Sequence, residues 1–506
     1  MSDQTVRAAL RSEAPLVVVE APAGCGKTYQ GADYACEMAD TIASSRVLVV
    51  THTHAACSVF SERTKGAASR IEIRTIDGVI AQIASAYHVG LGLPSDIAAW
   101  VRQFSEGHAL LAQKVALLLK RYPMIGESLA QRYRFLICDE HQDSSGDQHA
   151  IIMVLLNHGA KVRVFADPMQ KIFKDQSVSG GCAPYAWNDL IAQAQAYEQL
   201  DTPHRWSNGC SELGRWTLAA RSLLKTGGRI DLKTGVPPSV EIVFAENQSM
   251  RNLEYQLSAS DRRPVDLFER VQSALLILTR HTDTARSFRA FFNRRLLLWE
   301  GHTRTSLDKL AGAIRINQGD SAKLAAASIC FLGDVGKGFS ASAFGERFER
   351  EVREGCMSRC RGKPAVIQQL AKFIVTEADH RGVSKFLRHI SHLRTSDSNF
   401  AGIEIDCHKE FWEAVSLGDF NSVDEGLAEI NNRRTYSRPK PPVKAISTIH
   451  KAKGLECENV IIMPCDGRTF PDKPDARCLL YVALSRATTR LVLVVSRTNP
   501  SPLLEF

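Results

Sequence analysis

A phosphate-binding sequence lies near the start of this chain. From Ala21 it reads A-P-A-G-C-G-K-T, which differs from the P-loop pattern G-x-x-x-x-G-K-S/T only in its first residue. Glycines in such a turn allow backbone N–H groups to close around phosphate oxygens, and a helix that begins there adds partial positive charge. We therefore predict that Lys27 contacts the β- and γ-phosphates of a nucleotide and that the Thr28 hydroxyl binds Mg²⁺.

Two adjacent acids follow an apolar segment further along the chain, in F-L-I-C-D-E-H-Q-D-S-S from Phe135. An apolar strand would deliver Asp139 and Glu140 at its carboxyl end, where α/β sheets bind ligands. Asp139 is suited to hold Mg²⁺, and Glu140 to orient or deprotonate an attacking water. The alternative, an acidic loop after a buried strand, is disfavoured because the phosphate-binding sequence is present in the same chain.

These groups need a sheet that brings them to one edge. Near-continuous apolar runs separated by helical segments predict a parallel sheet covered on both faces. The predicted strands of the first part are Leu16–Val19, Val47–Val50, Phe135–Cys138 and Val162–Phe165, with a helix through Tyr29–Met38. A second α/β pattern follows, with strands predicted at Ala274–Leu278, Val460–Met463 and Leu491–Val495. The expected fold class is therefore α/β, with two parallel-sheet domains that each carry a mostly helical insertion.

Composition excludes several other classes of protein. The 506 residues are 44% hydrophobic and 23% charged, which is ordinary for a globular chain. No apolar run approaches the ~18 residues of a membrane helix, and the first residues lack the apolar segment of a secretory signal. Thirteen scattered cysteines fit reduced thiols, so we expect a cytoplasmic protein. The net charge of +8 permits a nucleic-acid partner without establishing one.

An ordered set of short motifs resembles the UvrD/PcrA/Rep-like group of superfamily 1 helicases. The resemblance runs along most of the chain and is most specific in the last two segments. The matching segments are T-H-T-H-A-A from Thr51, T-I-D-G from Thr75, D-E-H-Q-D from Asp139, A-D-P-M-Q from Ala166, L-D-T-P-H-R from Leu200, S-T-I-H-K-A-K-G-L-E from Ser447 and Y-V-A-L-S-R-A from Tyr481. It implies two RecA-like domains that form an ATP cleft.

The resemblance also implies ATP and Mg²⁺ as cofactors. Gln170 and Arg205 correspond to residues that contact the γ-phosphate, and Arg486 to the arginine finger. The implied catalytic residues are Lys27, Asp139, Glu140, Gln170, Arg205 and Arg486, with Thr28 and Asp139 as Mg²⁺ ligands. The implied nucleotide-binding residues are Gln4, Ala23, Gly24, Cys25, Gly26, Lys27, Thr28, Tyr29, His204, Gly454 and Glu456.

The residues expected at the adenine differ from those usual in the group. Gln4 stands where the group has an adenine-reading glutamine. Tyr29 replaces an arginine that often follows G-K-T, and His204 replaces the tyrosine before Arg205. We therefore hypothesise that Tyr29 and His204 enclose the base between two aromatic faces.

The expected nucleic-acid contacts are Thr51, His52, Thr53, Thr75, Phe173, Thr448 and His450. Two stacking positions depart from the group. His52 replaces the usual phenylalanine, and the Trp-Arg pair expected after Gln170 is absent. Stacking on an aromatic ring contributes ~1–3 kcal/mol per base, so both departures weaken the case for processive unwinding. Trp187 or Trp206 could compensate, although ordinary packing is the commoner role of a tryptophan.

The resemblance divides the chain into six segments. Residues 1–78 and 134–207 form domain 1A, with insertion 1B at 79–133. Residues 208–285 and 441–506 form domain 2A, with insertion 2B at 286–440. About twenty residues follow Arg486, so we expect no nuclease domain in this chain.

This compact organisation resembles the GajB helicase subunits of Gabija anti-phage systems. It implies an ATP-dependent DNA helicase or DNA-stimulated ATPase that acts on single-stranded or tailed duplex DNA. It also implies a partner, a GajA-like nuclease of the OLD family in a hetero-oligomer, and no membrane. Two alternatives stay open: a stand-alone 3′–5′ repair helicase, and a non-translocating ATP switch or scaffold that senses DNA.

Overall fold

A computed structural model describes residues 2–67, 69–104, 106–173, 178–247, 255–299, 305–338, 344–436 and 441–506. The chain divides into two compact units. Unit 1 comprises Met1–Gln248, Leu257–Arg280 and Ala452–Phe506, and unit 2 comprises Ser249–Gln256 and His281–Lys451.

The first sheet of unit 1 is entirely parallel. Its strands are β1 (Leu16–Glu20), β2 (Arg46–Thr51), β3 (Ile71–Thr75), β4 (Tyr133–Cys138), β5 (Lys161–Ala166) and β6 (Ala196–Gln199). They lie in the order β3-β2-β4-β5-β1-β6. This order places the carboxyl ends of β1, β4 and β5 side by side at one edge, where ligands bind in open α/β sheets.

Both faces of this sheet are buried, because successive residues of a strand point to opposite sides. In β1, Val17 and Val19 join one apolar cluster, and Leu16 and Val18 join another. The first cluster is covered by α1 (Ser2–Leu10), α2 (Lys27–Thr41) and α3 (His54–Arg63). The second is covered by α4 (Ile76–Ala86), α5 (Ile97–Arg102), α6 (Gly107–Arg121), α7 (Pro123–Arg132), α8 (Gly146–Asn157) and α9 (Trp187–Gln193).

The rest of unit 1 contains six more strands, four of them in one parallel sheet. Its elements are α10 (Ser211–Lys225), β7 (Ile230–Asp231), β8 (Val240–Phe244), α11 (Ala259–Val271), β9 (Leu275–Thr279), β14 (Cys457–Cys465), α20 (Pro474–Leu484), β15 (Ala487–Val495) and β16 (Leu504–Glu505). The four strands lie in the order β9-β14-β15-β8. Strands β7 and β16 form a separate parallel pair.

Unit 2 is mostly helical and has its own apolar core. Its elements are α12 (Thr282–Phe291), β10 (Leu297–Leu298), α13 (Thr305–Ile316), α14 (Ser321–Val335), β11 (Gly336–Lys337), α15 (Glu346–Arg353), α16 (Lys363–Thr376), α17 (His380–Ser396), β12 (Glu404–Ile405), α18 (His408–Ser416), α19 (Val423–Tyr436) and β13 (Lys444–Thr448). Fully buried Leu370, Phe386 and Phe411 belong to this core. Strand β10 pairs in parallel with β13, and β11 pairs antiparallel with β12.

The expected fold class is confirmed, because the chain combines parallel sheets with helices that cover them. The predicted helical segment after residue 78 corresponds to α4 through α7, and the predicted segment after 285 to α12 through α19. The limits of the six predicted segments stay a prediction. Among the described residues, no helix has both the length and the apolar character needed to cross a bilayer.

Candidate nucleotide site

The turn between β1 and α2 is shaped by two glycines with positive φ. Gly24 has a φ of +74° and Gly26 one of +84°. A Cβ atom on Gly24 would lie 2.6 Å from the Cβ of Arg205, so glycine is required there on steric grounds as well. Helix α2 begins at Lys27 without a side-chain cap, so its first N–H groups are available to an anion. The backbone N–H of Ala23 donates to the Tyr481 hydroxyl at 2.8 Å.

The two predicted acids follow β4 and face the P-loop lysine. Lys27 forms an ion pair with Glu140, whose backbone has a φ of +54°. Burial opposes charge on Lys27, but Glu140 and Asp139 raise the pKa of this ammonium above its ordinary value. Burial likewise opposes charge on Glu140, yet Lys27 and Lys453 lower the pKa of that carboxyl. Both groups are thus charged, and each ion stabilises the other.

Asp139 is the acid that fits a magnesium ion. Burial, followed by repulsion from Glu140, raises the pKa of this carboxyl, although Lys27 opposes the shift. Its Oδ1 atom is buried and has no hydrogen-bond partner among the described residues. A buried carboxylate oxygen without a donor is stabilised by a hard cation, which prefers oxygen ligands. Thr28, in the first turn of α2, supplies the second predicted ligand, so Asp139 and Thr28 would hold Mg²⁺.

A chain of amide groups connects Glu140 with Gln170. The Gln142 amide donates to Glu140, and its oxygen accepts from the backbone N–H of Asp167 at 3.0 Å. The Gln170 amide in turn donates to Asp167 at 3.0 Å. Gln170 is therefore linked through Asp167 and Gln142 to Glu140, the second acid of the pair.

Arg221 of α10 holds two strand ends together at the same edge. Its guanidinium lies 2.6 Å from both Glu20 at the end of β1 and Asp167 just after β5. Lys225, one turn further along the helix, also reaches Glu20, at 2.5 Å. Glu20, Asp167 and Arg221 are all buried, so the three charges depend on one another. Sequence reasoning missed this cluster because no local pattern joins residues about 200 positions apart.

The two predicted arginines also lie in unit 1. Arg205 forms an ion pair with Glu456 at 2.7 Å and donates to the Ser485 carbonyl at 2.7 Å. Its Nε atom is buried and has no partner in the part of the chain that the structure describes. Arg486 is buried and donates to the carbonyls of Val482 at 2.9 Å and Leu455 at 3.1 Å. Burial, followed by the nearby Arg205, lowers the pKa of Arg486 to about 10, although Glu456 opposes the shift.

Lys453 makes a further link that the sequence analysis did not assign. Its ammonium donates to the Asp143 carboxylate at 2.6 and 2.8 Å and to the Gln170 carbonyl at 2.7 Å. It also lies 5.2 Å from the centre of the Phe173 ring. Gly454 follows with a φ of +84°. Both Lys453 and Tyr481 belong to segments that resemble helicase motifs, K-G-L-E and Y-V-A-L-S-R-A. Membership in those segments was the signal that could have marked the two residues as part of the site.

Of the residues predicted to contact the adenine, His204 lies beside the start of α2, whereas Tyr29 and Gln4 are exposed. His204 lies beside Gly26, 3.1 Å from where a Cβ would be, and hydrogen-bonds to Asp3 at 2.9 Å. Tyr29 is 61% exposed, and the Arg63 guanidinium lies 5.9 Å from its ring centre. Gln4 is exposed on α1. The enclosure of a base between Tyr29 and His204 stays a prediction.

Several predicted nucleic-acid residues in unit 1 have structural partners. The Thr51 hydroxyl is buried and donates to the Thr53 carbonyl at 3.0 Å. The side chains of Thr53 and Thr75 cap α3 and α4. The ring of His52 hydrogen-bonds to Ser144 at 3.0 Å. Thr51 and Thr75 are the last residues of β2 and β3, His52 and Thr53 follow β2, and Phe173 is half exposed.

The prediction that Trp206 could stack on a base in place of the missing aromatic residues is wrong. Its side chain is fully buried and donates to the Ala487 carbonyl at 2.8 Å, so it cannot stack on a base. Trp187 is partly buried against the core of the first sheet.

Two predicted contacts, Thr448 and His450, lie in unit 2. Thr448 is the last residue of β13, and His450 follows it in a turn. Thr448 also lines a cavity of about 260 Å³ inside unit 2, together with Trp299, Arg286, Lys309 and Lys451. The cavity wall also contains the carboxylates of Asp334 and Glu410, and the contact of Thr448 with nucleic acid stays a prediction.

Comparison with known families finds two matching regions. An AAA domain matches residues 3–231, and a UvrD-like helicase C-terminal domain matches residues 445–494. No curated protein matches the chain. The first region contains the phosphate loop, the acid pair, Gln170 and Arg205, and the second contains Glu456 and Arg486. Together the two regions support an ATP-dependent helicase or ATPase of the UvrD/PcrA-like superfamily.

Proposed function

We propose that this chain is a DNA-stimulated ATPase with the machinery of a UvrD-like DNA helicase. One observation carries the proposal. The phosphate loop, the acid pair and Gln170 follow adjacent strands at the carboxyl edge of one sheet, and both arginines, which come from distant parts of the sequence, lie in the same unit 1. Each of these residues has the chemistry that its proposed step requires.

The proposed mechanism begins with an exchange of partners. Lys27 leaves Glu140 for the β- and γ-phosphates, so Glu140 becomes free to orient and deprotonate water. Arg205 leaves Glu456 for the γ-phosphate, and Glu456 becomes available to another group of the nucleotide. Mg²⁺ held by Thr28 and Asp139 would neutralise charge on the phosphate oxygens. The arginines then stabilise the charge that develops on the transferred group.

The proposed substrate is single-stranded or tailed duplex DNA, and the proposed partner is a GajA-like nuclease of the OLD family. The motif set, including T-I-D-G from Thr75, supports a subunit of a Gabija-type complex that acts in the cytoplasm. The absence of the Trp-Arg pair after Gln170 favours recognition of DNA ends over long-range unwinding, because one stacking platform is missing.

The test is an ATPase and strand-displacement assay on 3′- and 5′-tailed duplexes, with and without the product of the neighbouring gene. We expect DNA to stimulate ATP hydrolysis, and the neighbouring nuclease to co-migrate with this chain. Lys27→Ala is the control and should abolish hydrolysis, because Lys27 is the only P-loop cation. Hydrolysis that survives this substitution would refute the nucleotide site.

The two alternatives predict different outcomes in the same assay. A stand-alone repair helicase should displace strands without a partner and with 3′–5′ polarity. A non-translocating switch should hydrolyse ATP on DNA without displacing a strand. A monomer that ignores the co-expressed nuclease would exclude the Gabija-type assignment.

A further inference from the structure

Three histidines and a serine form a continuous hydrogen-bonded chain in unit 1. His52 Nε2 lies 3.0 Å from the Ser144 hydroxyl, which lies 3.2 Å from His141 Nδ1. His141 Nε2 lies 3.0 Å from His149 Nδ1. We call these four residues the histidine chain. It begins at His52, in the segment predicted to contact DNA. It continues through His141, the residue that follows the acid pair Asp139 and Glu140.

One end of the histidine chain is firmly anchored. The Tyr185 ring stacks on His149, with centres 4.2 Å apart and planes 17° apart. The Tyr185 hydroxyl donates to the His141 carbonyl at 2.6 Å. Burial lowers the pKa of His149 to about 4, so this ring is neutral and acts through hydrogen bonds and stacking. Movement of the chain is therefore easier at the His52 end than at the His149 end.

The middle of the histidine chain fixes the position of Glu140. His141 follows Glu140 directly and is buried, and the backbone N–H of Ser144 donates to the His141 carbonyl at 3.0 Å. The N–H of Asp143 donates to the Glu140 carbonyl at 3.0 Å. Glu140 itself has a left-handed backbone, which is uncommon for this residue type and must be held by its neighbours. A shift of Ser144 or His141 would therefore change the direction of the Glu140 carboxylate.

His52 is poorly placed for the stacking role of the phenylalanine it replaces. One ring nitrogen is engaged by Ser144, and the ring lies among the charges of Asp143, Asp77, Glu140 and Lys453. Burial is the largest influence on this ring and lowers its pKa, so His52 joins the chain as a neutral group. The remaining part of the segment, from Thr53 onward, is exposed to an approaching strand.

We propose that His52 is a positioning residue that couples DNA occupancy after β2 to the orientation of Glu140, through Ser144 and His141. This inference rests on the proposed function. A strand that contacts the segment after β2 shifts His52, and the hydrogen bonds transmit the shift to the turn that holds Glu140. The result is a faster hydrolytic step on DNA without a change in nucleotide binding.

The test compares His52→Phe with His52→Gln. Phenylalanine keeps the ring but loses the hydrogen bond, whereas the glutamine amide can place a donor near the Nε2 position. We expect His52→Phe to lower the DNA-stimulated kcat about five- to tenfold, the effect of one hydrogen bond on a rate. We expect its KM for ATP and its affinity for a fluorescent single strand to stay within about twofold, the scatter of a peripheral substitution. His52→Gln should retain most of the DNA-stimulated rate of the unaltered protein.

Three further variants keep the test independent of folding. Ser144→Ala breaks the same link from the other side and should show the same loss of kcat. The double variant should be no worse than either single one, because both remove one connection. His88→Phe makes the same substitution at a partly exposed histidine of unit 1 and should leave the stimulated rate unchanged.

The outcomes separate this inference from the proposed function. If the unaltered protein is stimulated by DNA and His52→Phe is stimulated equally, the coupling role is wrong. Loss of strand affinity in His52→Phe in proportion to the loss of rate would also overturn it, because the polar ring of His52 would then contact the strand directly. If the unaltered protein hydrolyses no ATP on any DNA, the proposed function itself fails, and the coupling fails with it.

Discussion

Single residues of the nucleotide site satisfy one another in pairs. Lys27 and Glu140 neutralise each other, as do Arg205 and Glu456. Such pairing avoids the large free-energy cost of an unpaired buried charge. It also means that a nucleotide must compete with the internal carboxylates, so the phosphates replace one set of ionic contacts with another. Substitution of a residue that takes part in this exchange should therefore change the rate of ATP hydrolysis more than the free energy of unfolding.

Arg205 offers the clearest test at this scale. Arg205→Ala removes a cation proposed to act on the γ-phosphate, and arginines in that role contribute roughly 10³-fold or more to kcat. We expect a loss of that order in DNA-stimulated hydrolysis, with affinity for ATP reduced much less. The measurement is kcat under saturating DNA, together with binding of a fluorescent nucleotide.

A matched control is available close by. Arg215→Ala removes an exposed arginine of α10 and should leave kcat unchanged. If Arg205→Ala hydrolyses ATP at the normal rate, Arg205 does not contact the transferred phosphate.

At the scale of elements, apolar strands were predictable and polar ones were not. The predicted strand Leu16–Val19 lies within β1, and Phe135–Cys138 lies within β4. Both consist almost entirely of buried apolar residues, which is the signal of a parallel strand. Strand β6, which reads A-Y-E-Q, lies at the sheet edge and carries no such signal. Its pairing with β1 depends on the rest of the sheet.

Arg221 tests how α10 is attached to the first sheet. Arg221→Met would leave the buried carboxylates of Glu20 and Asp167 without their shared cation. Breaking a buried ionic cluster by removing one partner costs about 3–5 kcal/mol. We expect a loss of that size in the free energy of unfolding, measured by urea denaturation.

The same helix supplies the comparison for this experiment. Arg215→Met, on the exposed side of α10, should change the free energy of unfolding by less than about 0.5 kcal/mol. Equal effects of the two substitutions would mean that the charges of Glu20 and Asp167 are balanced in another way.

The buried imidazole of His149, in α8, should make the stability of the folded chain depend on pH. Burial lowers the pKa of this imidazole to about 4 from its ordinary value of 6.5. Between these two pH values the unfolded chain binds a proton that the folded chain does not, so stability falls as the pH decreases through this range. Below about 4 both states are protonated, and this contribution falls no further.

His149→Phe should remove that contribution and keep the stacking on Tyr185. We expect the fall in Tm between pH 7 and pH 5 to be smaller in the variant than in the unaltered protein. His141, whose pKa burial also lowers, remains in the variant, so the dependence should decrease without vanishing. Identical Tm losses would show that His149 is not held neutral.

At the scale of the whole molecule, the candidate site could be predicted as a set of motifs but not as a set of contacts. The phosphate loop and the acid pair have local patterns, because each must adopt a fixed backbone shape. The contacts of Lys453 with Asp143, and of Ala23 with Tyr481, join residues separated by 310 and 458 positions. No spacing rule reports such contacts, because they arise only when distant segments pack together within unit 1.

This distribution of contacts predicts where a nucleotide stabilises the chain. The contacts described above for the P-loop, the acid pair, Arg205, Glu456 and Arg486 lie within unit 1, and unit 2 has its own apolar core. A ligand at about 100 times its Kd adds roughly 2.7 kcal/mol to the stability of what it binds. We therefore expect a non-hydrolysable ATP analogue with Mg²⁺ to slow hydrogen exchange in the turn after β1, after β4 and near Glu456. Exchange in α16 and α17 should not change, because their buried residues belong to the core of unit 2.

Lys27→Ala should abolish the protection at all three places together, since one ligand causes it. Protection limited to the turn after β1 would contradict a site assembled from distant segments, and equal protection of α16 and α17 would contradict its restriction to unit 1.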